Sequence, residues 1–203
     1  MNAETRRRRV PALAPEERRA ALIAATLPLL MAHGAAVTTR QIAEAAGVAE
    51  GTIFGVFPDK VSLLAATLKQ AFDAGPTVRA LSAIDPQGSL RQRLSDAAAI
   101  LIRRIEGSVP LMMLARTMHF PADESPMAAI MDNRQRLTEA VARLIEPDRH
   151  LLRRSPETAA GLLFALVGIT TRGMLPNDDL TPDEIVAVLL DGLLTTTSDP
   201  GEA

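Results

Sequence analysis

Three sets of residues have the types and spacing to do chemistry. Arg6-Arg7-Arg8-Arg9 puts four guanidiniums ahead of the first helical periodicity. Such a flexible cationic arm can lie on phosphates or in a minor groove, each contact releasing counterions. Thr38-Thr39-Arg40 and, farther on, Glu50-Gly51-Thr52-Ile53-Phe54-Gly55 with Lys60 combine hydroxyls, a guanidinium and a stretch of bare backbone. Gly51 and Thr52 at a helix start suit the major groove, where free N–H groups and a partial positive charge meet phosphate. The third set is methionine: Met112, Met113, Met118, Met127 and Met131 are five of the eight in the chain. Met is flexible and polarizable and lines surfaces that accept varied apolar shapes.

Other chemistries have little to stand on. The absence of Cys excludes disulfides, thiolate zinc sites and a Cys nucleophile. His33, His119 and His150 show no metal-ligand spacing, and no nucleophile–base pair, phosphate-binding loop or dinucleotide fingerprint occurs. The expectation is therefore no enzyme, no cofactor and no metal. With five Phe and neither Tyr nor Trp, stacking platforms for single-stranded nucleic acid are excluded too. No apolar run approaches the ~20 residues that span a bilayer, and no apolar signal core opens the chain. These features predict a soluble, cytoplasmic protein without a membrane partner.

The elements that position these residues read as helices throughout, about nine in all, with no credible strand in the 203 residues. Pro15 opens the first helix, His33 lies at its end and Gly34 stops it, with a kink or a freed carbonyl at Pro28. Thr38 and Gln41 have capping-box spacing ahead of a two-turn helix, and Gly47 suits a left-handed turn after it. A second short helix is expected from Glu50 to Phe57, stopped by Pro58. Asp59 then caps a longer helix through Val61, Leu64, Leu68 and Phe72. Two short helices joined by a tight turn and buttressed by a longer one form a helix-turn-helix, with Ile42, Ala43, Ala46, Val48 and Ile53 as its small core. Gly75-Pro76 and 85–88 mark the boundary. The predicted layout is an arm over 1–14, a DNA-binding domain over 15–74 that includes the connecting helix, and a larger helical domain over 75–203. In the last of these Ser89 caps a helix, 107–108 breaks it, and a short Met-rich helix runs from Pro110 to Phe120. Helices near 126–146, 156–175 and 182–197 follow.

Residues 38–64, TTRQIAEAAGVAEGTIFGVFPDKVSLL, resemble the DNA-binding segment of the TetR family of transcriptional regulators. The likeness rests on Thr38, Ile42-Ala43, Ala46-Gly47-Val48, Gly51-Thr52-Ile53, Phe57, Lys60 and Leu63, with Ala25, Leu29, Leu30 and Gly34 upstream. It implies that Thr39, Thr52 and Lys60 contact phosphate, and that Arg40 and the exposed side chains of 49–56 face bases. Arg40 is the best base reader, because a guanidinium forks onto guanine O6 and N7. Phe54 stands where the family usually has Tyr, Val56 where His is frequent, Ala49 where a Ser caps, and Ala35 where an aromatic is usual. The resemblance further implies a homodimer through the last two helices of each subunit and a small molecule bound among the middle helices.

The residues of the second domain agree with that. Leu162-Leu163-Phe164-Ala165-Leu166-Val167-Gly168-Ile169 is apolar on every side, and the last helix carries Ile185, Val186, Val188, Leu189, Leu190, Leu193 and Leu194. A helix apolar all round must be buried all round, and a second subunit provides the cover. The expected effector pocket is lined by Leu101, Ile105, Met112, Met113, Met118, Met127, Met131 and Phe164, with Arg116, His119 and Thr170 as polar anchors. Few aromatics favour an aliphatic or uncharged ligand. The net charge of −2 hides a split: eight basic and six acidic residues up to Lys60, fourteen and eighteen thereafter. The sequence thus predicts a DNA-binding regulator, a repressor released by an apolar effector from a pseudo-palindromic site on double-stranded DNA. Its rival is a helical carrier or enzyme with a vestigial DNA head.

Overall fold

The structure, a computed structural model, describes residues 14–171 and 180–193. Arg6 to Arg9 and Leu194 lie outside them. Every regular element among the described residues is helical: α1 Pro15–His33, α2 Thr39–Ala46, α3 Glu50–Phe54, α4 Lys60–Ala71, α5 Gly75–Ser82, α6 Leu90–Thr117, α7 Met127–Ile145, α8 Pro156–Thr170 and α9 Pro182–Leu193. Short 3-10 turns occupy Gly34–Ala36 and Glu146–Leu151. The chain divides into two units, a head of residues up to 70 with Phe120–Glu124, and a body holding the rest.

In the head, α1 begins as the residues require. Pro15 needs no donor in the first turn, and the Glu17 carboxylate accepts from the Ala14 N–H at 3.0 Å. Pro28 withdraws one rung from the ladder inside the helix. Residues 15–36, rich in Ala, do form one stretch long and apolar enough by length and composition to cross a membrane. This corrects the expectation that no run comes close. The helix is instead a wall of the head: Leu22, Thr26 and Leu30 are buried, and α1 packs on α2. The buried Thr26 hydroxyl donates to Leu22 O at 2.7 Å, so it costs little. Ile42, Ile53, Phe57 and Leu63 complete this small core, while Ala46 and Val48 are half-buried.

α3 ends at Phe54, three residues before the sequence suggests. Gly55 is a poor helix former, and a proline at 58 disfavours helical backbone at the residue before it. Phe57 then turns into the core, 1% exposed.

In the body, α6 runs unbroken for 28 residues through Gly107, Ser108 and Pro110, where a break was expected. Its buried stripe of Leu94, Leu101, Ile105, Leu111 and Ala115 overrides the local breakers. Pro110 and Glu106, whose carbonyl loses its donor, lie on the exposed face, and the Ser108 hydroxyl donates to Ile105 O at 2.9 Å. Gly75-Pro76, read as punctuation, opens α5 instead, with Pro in the first turn. Ser89, Ser155 and Thr181 cap α6, α8 and α9 as their spacing predicts. Against α6 pack α5, α7, α8 and α9. Arg93, 5% exposed, is bonded to Asp148, to Leu144 O at 3.1 Å and to Gly88 O, which ties the turn after α7 to the start of α6. α8 is not covered all round in one chain: Leu162 is 43% exposed and Ile169 38%, as is Val188 of α9 at 59%.

Candidate functional site

A two-turn helix is unstable alone, so α2 must be fastened at both ends. Thr38 Oγ1 accepts from Gln41 N at 3.2 Å, and Gln41 Oε1 accepts from Thr38 N at 2.8 Å: the capping box is formed. At the other end Gly47 takes φ 66°, ψ 31°, the left-handed turn that costs any Cβ-bearing residue. Val48 N then bonds Ala43 O at 3.0 Å, and the chain enters α3.

The expected DNA-contacting residues fall out differently. Arg40, Glu50, Gly51, Phe54 and Gly55 are exposed, and Phe54 presents 52% of its surface. Arg40 makes no ion pair among the described residues. Thr38 serves as cap, and the Thr39 hydroxyl donates to the Glu50 carboxylate, so both hydroxyls already have work inside the head. Lys60 donates to Ala35 O at 2.9 Å, which uses one of its three N–H bonds. Thr52 is half-buried. Sequence reasoning missed Arg19, whose guanidinium sits 4.3 Å from the centre of the Phe57 ring. Ala49 offers no side chain to cap α3. At Gly51 neither a positive φ nor a neighbour within 4 Å of a Cβ demands glycine. The head's own packing would therefore accept Ala there, and glycine in a helix costs about 0.5–1 kcal/mol.

The body holds a cavity of about 620 Å³ among α6, α7 and α8. Ile105, Met112, Met113, Arg116 and Phe164 of the expected pocket line it. The other expected residues do not. Leu101 is fully buried in the core, and the Thr170 hydroxyl is spent on Leu166 O and Val167 O. Met118, His119, Met127 and Met131 also lie off its walls. Residues missed from sequence include Arg104, Arg134, Asn133 and Leu137. Arg104 donates to Ala71 O at 3.1 Å and Asp73 O at 3.2 Å; burial pushes its guanidinium below the ordinary range, with the Asp73 charge opposing. Arg134 lies over the Phe164 ring, 5.2 Å from its centre. No group of three His, Asp or Glu that could hold a metal occurs among the described residues.

Comparison with known proteins agrees with the head. The family described as bacterial regulatory proteins, tetR family, matches residues 22–67. The HTH-type transcriptional repressor KstR of Mycolicibacterium smegmatis is 34% identical over 131 residues, which span 63% of this chain and 62% of that protein. Among solved structures, one described as a TetR-family transcriptional regulator from Mesorhizobium loti superposes with TM-score 0.70 at 18% identity, over 91% of this chain and 100% of that one. Flavonoid-responsive Regulator FrrA superposes with TM-score 0.65 at 18% identity, over 90% and 100%. At such identities the superpositions establish the all-helical fold. The family match itself covers the helix-turn-helix of the head, residues 22–67, and the chain spans 62% of the length of the curated relative.

Proposed function

We propose that the protein is a transcriptional repressor that binds double-stranded DNA as a homodimer and leaves its operator when a small molecule occupies the body. The observation that carries this reading is the head: a boxed α2, a left-handed turn at Gly47 and a short α3 with exposed Arg40, Gly51 and Phe54. Gly51 adds to it, since a bare backbone that the head does not need suits close approach to a nucleic acid. A relative named as a transcriptional repressor and a structural neighbour named as flavonoid-responsive support the sign and the ligand response. The exposed apolar side chains of α8 and α9 support a two-fold dimer through those helices. Its two heads would then meet half-sites about one helical turn, ~34 Å, apart. An effector acts by preferring a state in which the heads miss the grooves, a shift that needs differential affinity for the two states. The cytoplasm is where such a protein meets DNA.

Titration of genomic promoter fragments in a mobility-shift assay tests this. Specific retardation is expected, and Arg40→Ala should cost about 1–3 kcal/mol of discrimination at one base pair. Gly51→Ala should raise the unfolding midpoint yet weaken operator binding. A carrier or enzyme with a vestigial head would show no specific retardation, and Gly51→Ala would then change stability alone.

A further inference from the structure

The charged side chains that line the cavity in the body are Arg104, Arg116 and Arg134, and no Asp or Glu is among the described lining residues. This stands out in a chain whose acidic residues outnumber its basic ones from Val61 onward, eighteen to fourteen. None of the three arginines forms an ion pair among the described residues. The hydrogen-bond partners of Arg104 are neutral carbonyls, which occupy two of its five N–H bonds, and the Asp73 carboxylate acts on it through charge alone. Asn133 reinforces the bias. Its Oδ1 already accepts from Ala74 N and from Arg136, so the amide N–H pair is what it has left to offer. The three guanidiniums and the Asn133 amide are the donors of the lining, the Ser108 and Thr171 hydroxyls having given their hydrogens to Ile105 O and Val167 O, while the buried lining of Phe72, Ile130 and Leu137 is apolar. Arg116, Arg134 and Met113 are exposed and mark the mouth. A carboxylate is an acceptor-only group that a guanidinium fork matches, and the exposed mouth arginines can offer it their forks.

We propose that the cavity takes an anionic amphiphile, an apolar molecule bearing one carboxylate, with its body against Ile105, Leu137 and Phe164 and its carboxylate on Arg116 and Arg134. This rests on the reading of the cavity as the effector site and names the chemistry of the effector. It departs from the uncharged ligand that the scarcity of aromatics suggests: aromatics bear on cationic ligands, whereas the arginines select for the opposite charge. Arg104, deeper and half-buried, holds the positive potential of the wall.

The test is displacement of the neutral dye N-phenyl-1-naphthylamine from the full-length protein, which has no Trp or Tyr to interfere. Dodecanoate, dodecanol and dodecylamine are compared as competitors. Dodecanoate should displace the dye at concentrations at least about tenfold below dodecanol, as a charge-assisted pair implies. The double variant Arg116→Gln/Arg134→Gln, altered at two exposed positions, should keep its fold by circular dichroism and lose the preference, dodecanoate falling to the potency of dodecanol. Equal potency in the natural protein, a preference for the alcohol or amine, or a preference that survives the double variant overturns the assignment. Gly168→Leu separates the two levels, because Gly168 lines the cavity with open space beside it. If that variant blocks the dye and dodecanoate has no advantage, the anion proposal fails and the site stands. If the dye ignores Gly168→Leu, the site fails and the proposal with it.

Discussion

The body buries one cation outright, Arg93, and over residues 14–60 the head buries none. Over residues 14–60 the head has four basic and five acidic side chains, an acidic balance for the DNA-binding role proposed for it. Arg40 is exposed and unpaired among these, while Lys60 and Arg19 are engaged with Ala35 O and the Phe57 ring. The body turns two cations inward, Arg93 in a buried, hydrogen-bonded ion pair and Arg104 half-buried at a cavity wall, while Arg134 and most of its other arginines are exposed. A surface that must release counterions needs mobile, accessible charge, whereas an interior uses a cation where geometry can satisfy it. If the head binds DNA as proposed, it needs charge beyond residues 14–60, and Arg6 to Arg9 are where the sequence supplies it.

The largest effect should come from breaking the inward pattern in the body. Arg93→Met leaves Asp148 and two carbonyls without their donor, and loss of one partner of a buried pair costs about 3–5 kcal/mol. Urea unfolding followed by circular dichroism measures this. A cost below about 1 kcal/mol would mean that Arg93 behaves like a surface cation, and the contrast would collapse.

Next in size is the outward pattern. Replacing Arg6, Arg7, Arg8 and Arg9 by Ser should flatten the salt dependence of operator binding by about 0.9 in log–log slope for each arginine engaged. At moderate salt the affinity should fall by about a hundredfold. An unchanged slope refutes the dependence on the arm and leaves Arg40, Lys60 and the helix ends to bind alone.

The same contrast explains what the sequence made legible. The head is specified by short-range chemistry: Thr38 with Gln41, the turn at Gly47, and Asp59 with Ser62 each act within a few residues, so spacing alone locates them. The one boundary misread there, the end of α3, depends on Phe57 docking into a core built by distant residues. In the body, burial over 28 residues defeats three local breakers in α6, and no local rule carries that information. The cavity was half legible. Methionine by type found Met112 and Met113, yet Met131 lies beside Ile130 in sequence and about 100° round the helix from it. The stripe Ile130, Asn133, Arg134 and Leu137 follows helical periodicity and faces the cavity. Periodicity of the polar residues, rather than residue type, was the signal to follow.

The smallest effect sharpens the comparison within the head itself. Asp59 Oδ1 accepts from Ser62 N at 2.8 Å and lies 2.9 Å from Ser62 Oγ, bonds that hold its carboxyl below 3.8. The Ser62 hydroxyl also lies 2.8 Å from Glu124 Oε1 and 2.9 Å from Oε2. One hydroxyl hydrogen cannot serve both acids at once, so Asp59 and Glu124 compete for it. Because the folded carboxyl of Asp59 is held below its unfolded value, its contribution to stability is complete above 3.8 and drains away as pH falls through the lowered value. In Asp59→Asn an amide oxygen in the place of Oδ1 can still accept from Ser62 N and from the Ser62 hydroxyl, without a charge to titrate. The variant should therefore keep its cap and show a flatter acid limb than the natural protein in urea midpoints taken between about pH 5 and pH 3. Glu157 and Glu184, held low in the caps of α8 and α9 by backbone N–H groups first and by the Ser155 and Thr181 hydroxyls next, titrate alike in both proteins. Their share cancels in the difference, which belongs to the head. Superimposable acid limbs would show that backbone geometry, and not the charge on Asp59, starts α4.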